Sequence, residues 1–431
     1  MGAGAGEHRK TLWWSTANRR PQTSAIEADL SVETAVIGGG FTGLTAALHL
    51  ARRGVRVALL EADEIGAGAS GVNAGFVVPN FAKADPASVV ARLGKERGER
   101  LLMCVGSGAD RVFETARTLG LACDAEQTGW LQPAHSSAAA DMLRARAAAW
   151  SALGRPVSFL SADEVRAQTG MDRYHGALLD ASGGTIHPLN YAYGLARSAG
   201  DAGALIFENA RVDAIERDGA RWRLRVAGRS VSAATVVLCS NASMTGAARK
   251  LGRNTVPLRV YQIATEPLPK DVVNRIAPDR RPVGDTRANL FTYRLDRDDR
   301  LITGGMAIIP IHAHERMARM MAKRLSDELR LPLLRVDFAW RGVAAMTPDF
   351  LPHLYEFGPG FIGGVGCNGR GVAMTAMLGE VLANAATGTA LADLPVPVAS
   401  GRGIPFHILA AAAPSFAVAQ ARWSDRRAEG A

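Results

Sequence analysis

Cysteine is scarce: the 431-residue chain has only Cys104, Cys123, Cys239 and Cys367, with no C-x-x-C pair. Such spacing argues against a disulfide frame or a structural zinc site and for a reducing compartment. Histidine is equally thin, and the isolated His312-x-His314 pair reads as loop or surface rather than as a metal site. The most apolar tail segment, residues 404–423, is alanine-driven and broken by Pro405 and Pro414, so a packed or surface helix is expected there and no membrane span. The N-terminal residues lack an apolar h-region, and polar residues follow Arg19-Arg20; the cytoplasm is the expected location. The net charge of +9 comes from arginines scattered along the chain, without a basic block or interleaved aromatics, so no nucleic-acid partner is expected. Neither a Ser/His/Asp set nor a carboxylate pair stands out.

What is present is concentrated in residues 31–75, SVETAVIGGGFTGLTAALHLARRGVRVALLEADEIGAGASGVNAG. Residues 33–37 read as a buried strand running into Gly38, Gly39 and Gly40, and residues 43–51 have helical composition. A second apolar run, 55–60, ends in Glu61, 18 residues beyond Gly43. Strand, glycine turn, helix, second strand and terminal acid fall in the register of a dinucleotide-binding βαβ unit. Gly38 permits the turn, Gly40 lets backbone approach a pyrophosphate, and Gly43 lets the helix pack close to the strand. The helix start, with Phe41 and Thr42 in its first turn, offers N–H groups and partial positive charge to phosphates. Glu61, followed by Ala62, is where a carboxylate accepts hydrogen bonds from a ribose. The next loop, Gly68-Ala69-Ser70-Gly71-Val72-Asn73-Ala74-Gly75, is too poor in bulky apolar residues to be core.

Residues 1–30 read as an arm that docks by Trp13 and Trp14. Residues 81–180 carry helical patterns at 86–119 and 138–153 and a short strand at 129–132, an insertion of the kind that forms a cap. Pro188 suits a helix start, with helical spacing through 199; His187 before it is either a pocket candidate or a structural group. Strands are expected at 204–208 and 210–216, and a hairpin at 222–231. The apolar run 235–239 then ends in Ser240-Asn241, where open α/β sheets meet ligands. From 255 to 340 the pattern is β-rich, with strands at 258–265, 290–295, 301–303 and 336–340 and one helix at 314–329. These predict a second, mostly antiparallel sheet flooring a substrate pocket, with Tyr261 and Tyr293 either facing substrate or serving as half-buried sheet aromatics. Finally, the strand from Phe361 runs through Gly366, Asn368, Gly369, Arg370, Gly371 and Val372 into a helix ending near 386, a second helix start that aims N–H groups at developing negative charge.

With these segments in view, the sequence resembles the D-amino-acid oxidase superfamily of FAD-dependent oxidoreductases, whose members loop a similar GxGASxxNxG segment under the flavin. STANRR, GGTIHPLN, RVYQIATEPL, WRGVAAMTPD, GCNGRGVAM and GRGIPF are similar to the gamma-glutamylputrescine oxidase group within it. The resemblance implies an α/β fold with a Rossmann-like FAD-binding domain built from 31–80, 181–250 and 341–395. Over it would lie a mostly antiparallel substrate domain from 81–180 and 251–340, with a tail at 396–431. It implies FAD contacts along Gly68, Ala69, Ser70, Asn73, Ala74 and Gly75, the adenine near Val212, and the 366–372 turn at the N1/C2=O edge of the flavin. The implied reaction oxidises the C–N bond of a small-molecule amine to an imine by hydride transfer to flavin N5, followed by hydrolysis, with O2 or another electron acceptor. An amino-acid dehydrogenase using a quinone and a catalytically silent flavin protein are the rival readings.

Departures from the resemblance carry information. Amino-acid-oxidising relatives clamp the substrate carboxylate with an arginine where this chain has Ala344, which disfavours an α-amino acid in that pose. Relatives that tether their flavin do so through a cysteine where this chain has Gly342; noncovalent FAD is expected, with Cys367 a remote candidate for a link. Val72 replaces an arginine common in the relatives' loop.

Overall fold

The computed structural model describes residues 9–307, 312–405, 407 and 420, and two large sheets organise them. In the first, Leu30–Ile37, Val57–Leu60, Arg229–Leu238 and Phe361–Val365 lie parallel. Leu205–Phe207 extends one edge, and the antiparallel His353–Gly358 followed by Val398–Ala399 extends the other. Coverage of both faces explains the unbroken apolar runs of the central strands. Val36, Leu59, Val237 and Ile362 pack into one cluster with residues of the helices Phe41–Arg52 and Gly371–Ala386. Their neighbours Ala35, Leu60, Val236 and Phe361 enter another cluster, with Trp222 and Leu224 of the antiparallel pair Val212–Asp218 and Arg221–Val226.

Eight strands make the second sheet, in the order Val336–Met346, Val256–Pro267, Arg300–Gly305, Thr292–Leu295, Val283–Gly284, Trp130–Pro133, Ala177–Asp180, Val157–Leu160. All of its pairings are antiparallel except that of Val283 with Leu131. The strand from Val336 does not stop at residue 340 but runs to Met346, because it pairs along nearly the whole length of Val256–Pro267. One face is covered by the helix Ala313–Leu329: Tyr261, Ile263 and Leu301 cluster with Met317, Met321 and Leu325. The other face, with Ala264, Ile302 and Trp340, joins the main cluster of the first domain. Because strand side chains alternate, this decides which residues look toward the glycine turns.

The insertion supplies three successive helices, Pro86–Leu93, Lys95–Gly106 and Gly108–Thr118. Gly94, at φ +77°, separates the first two, and Asp85 caps the first in a reciprocal box with Ser88. At the N-terminus, the short helix Leu12–Ser15 buries Trp13. Arg20 holds Glu64 at 2.7 Å and Glu208 at 3.0 Å, tying the arm to the segment after Glu61. All four cysteines are free thiols. Among the described residues no helix is long and apolar enough to cross a membrane, and no group of three or more His, Cys, Asp or Glu is placed to hold a metal. The helix expected at 404–423 lies almost wholly outside the described residues.

Candidate functional site

Both glycine turns open at the same edge of the first sheet. Ile37 is paired with Leu238, and Leu238 with Gly363, so three parallel strands end side by side and the helices that follow begin there. This is the edge at which doubly wound sheets bind ligands. The first turn is packed to the limit: a Cβ on Gly43 would lie 2.0 Å from the Gly38 carbonyl oxygen, and one on Gly38 2.7 Å from that of Cys239. Glu61 closes the turn from the neighbouring strand, its carboxylate accepting from Gly39 N at 2.6 Å and from Asp63 N at 2.9 Å. Burial pushes the Glu61 carboxyl above the usual carboxylate range, and those two N–H groups oppose the push. Ala62 is exposed beside it. The chain leading to Val212 crosses at this point, Ala210 N donating to Glu61 O at 2.7 Å.

One detail differs from the sequence expectation. The Phe41 N–H is not bare, because Ser70 Oγ accepts it at 2.9 Å, so Ser70 joins the small-residue loop to the helix start. The next residue, Thr42, is buried in the helix's first turn.

That loop is held by side chains from far away in the chain. Asn73 spends its carboxamide inside the loop, donating to the carbonyls of Ala69 and Ser70 and accepting from Gly75 N at 2.8 Å. Trp340 Nε1 donates to Val72 O at 2.8 Å, and Trp13 Nε1 to Asn73 O at 2.7 Å. Arg294 Nη1 donates to Gly75 O at 3.0 Å, to Ile186 O at 2.8 Å and more weakly to Ala74 O at 3.4 Å. Four successive carbonyls are thus pinned by three side chains. A planar trans peptide points its N–H opposite its C=O, so the Asn73 and Ala74 N–H groups are turned away from those side chains. Arg294 is only 3 % exposed and makes no ion pair among the described residues; burial pushes its guanidinium down to about 10.

His187 takes the structural role of its two readings, as a helix cap. Its Nδ1 accepts from Asn190 N at 3.1 Å, and its Nε2 lies 3.0 Å from Thr16 Oγ1. The Thr16 hydroxyl donates to Leu12 O, so it accepts from His187 Nε2–H and the tautomer is fixed. A second proton on Nδ1 would face the Asn190 N–H. Burial, followed by the Arg294 charge, pushes the imidazole down to about 3. An unfolded histidine titrates near pH 6.5, so between those values only the unfolded chain takes up this proton. The contribution is complete above about pH 6.5 and is lost as pH falls toward 3. The thermal midpoint is expected to drop from pH 7 to 4.5, and more steeply than in His187→Asn, which keeps a capping oxygen; parallel profiles would contradict this assignment.

At the second turn, Asn368 is also a positioning residue: Oδ1 accepts from Thr347 N at 2.8 Å and Nδ2 donates to Gly366 O at 2.9 Å. It locks the turn to the strand carrying Trp340. A Cβ at Gly369 or Gly371 would meet nothing within 4 Å, so open space fronts this helix start; the same holds at Gly68 in the loop. Val372 is buried behind it. Between the two turns, the Ser240 hydroxyl is buried with no partner among the described residues, and Asn241, at φ +52°, brings its Nδ2 within 3.5 Å of Val343 O.

Of the two roles left open for the tyrosines, the structure shows that of buried sheet aromatics. Tyr293 is fully buried and donates its hydroxyl to Ile276 O at 3.0 Å, a structural bond inside the second domain. Tyr261 lies on the helix-covered face, opposite Gly305, whose Cβ would touch Met317 and Met321. On the face toward the glycine turns its neighbour Gln262 pairs with Trp340, and Gln262 Oε1 is buried without a partner. Ala344 and Gly342 share that face with Trp340, Gly342 approaching Val72. Trp130 and Gln132, two apart on their strand, likewise leave Nε1 and Oε1 buried and unpaired. Sequence reading missed Gln262, Gln132 and Arg294; the only trace of them was a polar residue inside an apolar strand.

A paired glycine turn and acid, open space before Gly68, Gly369 and Gly371, and an orphaned hydroxyl between the turns are what a dinucleotide carrying a flat ring system needs. Comparison with known proteins agrees. The chain is 29% identical over 417 residues to gamma-glutamylputrescine oxidoreductase of Escherichia coli K12, covering 94% of this chain and 97% of the relative. It is 27% identical to the probable oxidoreductase OrdL of Haemophilus influenzae, covering 89% of each. Among solved structures, L-proline dehydrogenase from P. horikoshii shares the fold, with TM-score 0.70 at 19% identity over 85% of this chain and 96% of that one. Glycine oxidase from Geobacillus kaustophilus does so with TM-score 0.64 at 21% identity over 84% and 96%. The family described as FAD dependent oxidoreductase (DAO) matches residues 33–385, and the chain belongs to it.

Proposed function

We propose that this protein oxidises the C–N bond of a small-molecule amine to an imine, which water then hydrolyses, with O2 or another acceptor returning the cofactor to its oxidised form. The observation that carries this reading is the meeting of both glycine helix starts at one sheet edge, beneath a face of the second sheet. FAD, when bound, supplies the hydride acceptor at its N5. The chain's own part is to hold and to desolvate. The pinned 72–75 carbonyls fix the loop, and the sixteen-residue helix Gly371–Ala386 directs its positive end at the place where charge develops. Trp340 and Trp130 provide apolar surface that favours a neutral amine over its ammonium form. The E. coli relative is named for an amine substrate, which supports the class.

FAD is held noncovalently in this reading. Gly342 offers no thiol, and Cys367 Sγ is turned to Ala345 O at 3.9 Å, with burial pushing the thiol up. Denaturation is expected to release all of the flavin into the supernatant. The test of the reaction is anaerobic mixing of the yellow holoprotein with diamines, N-methylated amines, ω-amino acids and α-amino acids in parallel. Bleaching of the flavin band is expected with an amine class and not with simple α-amino acids; no bleaching by any amine, with dithionite still reducing the flavin, would sink the proposal. Reoxidation by air in stopped flow then assigns the acceptor.

A further inference from the structure

Gln262 lies in the middle of Val256–Pro267, paired with Trp340 on one side and Gly304 on the other, on the face turned toward the first domain. Two residues along that face, Ala264 packs into the main cluster with Ile302 and Trp340. Gln262 is 6 % exposed, and its Oε1 is buried with no hydrogen-bond partner among the described residues. The side-chain donors grouped around Trp340 are spent on the loop: Trp340 Nε1 on Val72 O, Trp13 Nε1 on Asn73 O, and Arg294 on the carbonyls of Gly75 and Ile186. Small groups on the same face, Val260, Gly304, Gly342 and Ala344, stay partly exposed, and a Cβ on Gly304 would lie 3.6 Å from the Gln262 Cγ. A buried carbonyl oxygen is costly to leave without a donor, so this one, beside open space, is suited to a donor from outside the chain.

Two kinds of N–H come to this domain boundary from outside, that of the flavin and that of the amine. The oxidised flavin ring has a single N–H, on the polar edge expected at the second glycine turn. That turn meets Val336–Met346 at Ala345, Asn368 N donating to Ala345 O at 3.2 Å, and Ala345 is about 17 Å along the strand from Trp340. The donor that remains for Gln262 is the amine.

We propose that Gln262 Oε1 accepts an N–H of the amine substrate and holds its nitrogen in place while the C–N bond is oxidised. The inference rests on the amine-oxidation reading and adds to it a residue that touches the substrate. As the hydride leaves carbon with its two electrons, the nitrogen lone pair forms the C=N bond and the nitrogen gains positive charge, keeping its N–H. A hydrogen bond from a charged N–H is about twice as strong as one from a neutral N–H. Gln262 therefore grips the reacting state more tightly than the bound amine, and its effect falls on rate rather than on binding. A carboxylate in its place would instead hold the substrate as ammonium, which has no lone pair to give.

The test is anaerobic stopped-flow reduction of the holoprotein by the diamine, N-methylated amine or ω-amino acid that bleaches it fastest. Varying the amine concentration reads the limiting rate and the amine affinity separately. Q262M keeps the bulk and loses the acceptor: its limiting rate is expected to fall about 10- to 100-fold, with amine affinity within about threefold of the parent and with FAD affinity and flavin midpoint potential unchanged. Q262E is expected to bind the amine at least about threefold tighter at about pH 7 and yet to be reduced no faster than Q262M. Reduction of Q262M at the parent's rate would overturn the proposal. So would a Q262M whose FAD affinity or midpoint potential moves with its rate, which assigns the carboxamide to the cofactor, and so would a Q262E with the parent's binding and rate. If Q262M does not fold, Q262E, of the parent's shape, still decides. Failure of every amine to bleach the parent sinks the amine-oxidation reading, whereas amines that bleach parent and both variants alike sink this inference alone.

Discussion

Gly43→Ala is expected to abolish FAD retention, the variant purifying colourless with less than about a tenth of the flavin of the parent. The reason is local. A methyl group at this position would meet the Gly38 carbonyl oxygen at 2.0 Å, and neither partner is a flexible side-chain end that can swing away. Strand and helix must separate, and the Gly39 N–H, held by Glu61 at 2.6 Å, moves with them. Overpacking of this kind costs about 1–3 kcal/mol or more in stability, and it falls on the backbone that a pyrophosphate approaches. Gly200→Ala is the control. It lies in the helix Pro188–Asp201 with nothing near its added methyl, and it should leave the flavin in place while stabilising the fold by about 0.5–1 kcal/mol. Flavin content after gel filtration and the thermal midpoint check both; a yellow Gly43→Ala protein would contradict the packing argument.

The second large effect is expected at Arg294→Met. The substitution removes the donor shared by the carbonyls of Gly75 and Ile186 at 3.0 and 2.8 Å, and the Nε bond to Leu295 O at 3.0 Å. Buried acceptors left unpaired cost about 1–3 kcal/mol each, partly offset because a desolvated charge disappears with them. The net expectation is about 3 kcal/mol of lost stability and FAD binding weakened at least about tenfold, since the loop from Gly68 to Gly75 loses one of its three external anchors. Arg294→Lys should rescue little, because a single ammonium cannot reproduce the guanidinium's spread of donors. Urea unfolding and fluorescence titration with FAD measure the two effects; if both were unchanged, the pinned loop would not be what shapes the site.

Much of the architecture follows from local chemistry. The glycine turn, the helix Phe41–Arg52, the strand ending at Leu60 and the acid after it are contiguous, and the Glu61 carboxylate meets Gly39 N only 22 residues away. The apolar run 235–239 read as a buried parallel strand, and the strand there spans Arg229–Leu238. The short strands Val157–Leu160, Ala177–Asp180 and Val283–Gly284 were not legible, because two to four residues carry no periodicity and exist only through their partners. Tyr261 shows the limit most clearly. Its strand was evident, but which face meets the helix Ala313–Leu329 and which meets the first domain depends on a partner far along the chain, and a period of two exchanges Tyr261 for Gln262.

The sequence by itself determined two glycine-lined helix starts of the kind that grip a dinucleotide, since a turn without side chains, a helix dipole and a nearby carboxylate are properties of short segments. The tertiary structure alone decided that both starts share one sheet edge and that Trp13, Trp340 and Arg294 hold the loop carbonyls in place. Those facts depend on contacts between residues scores to hundreds of positions apart, set by strand order, register and face.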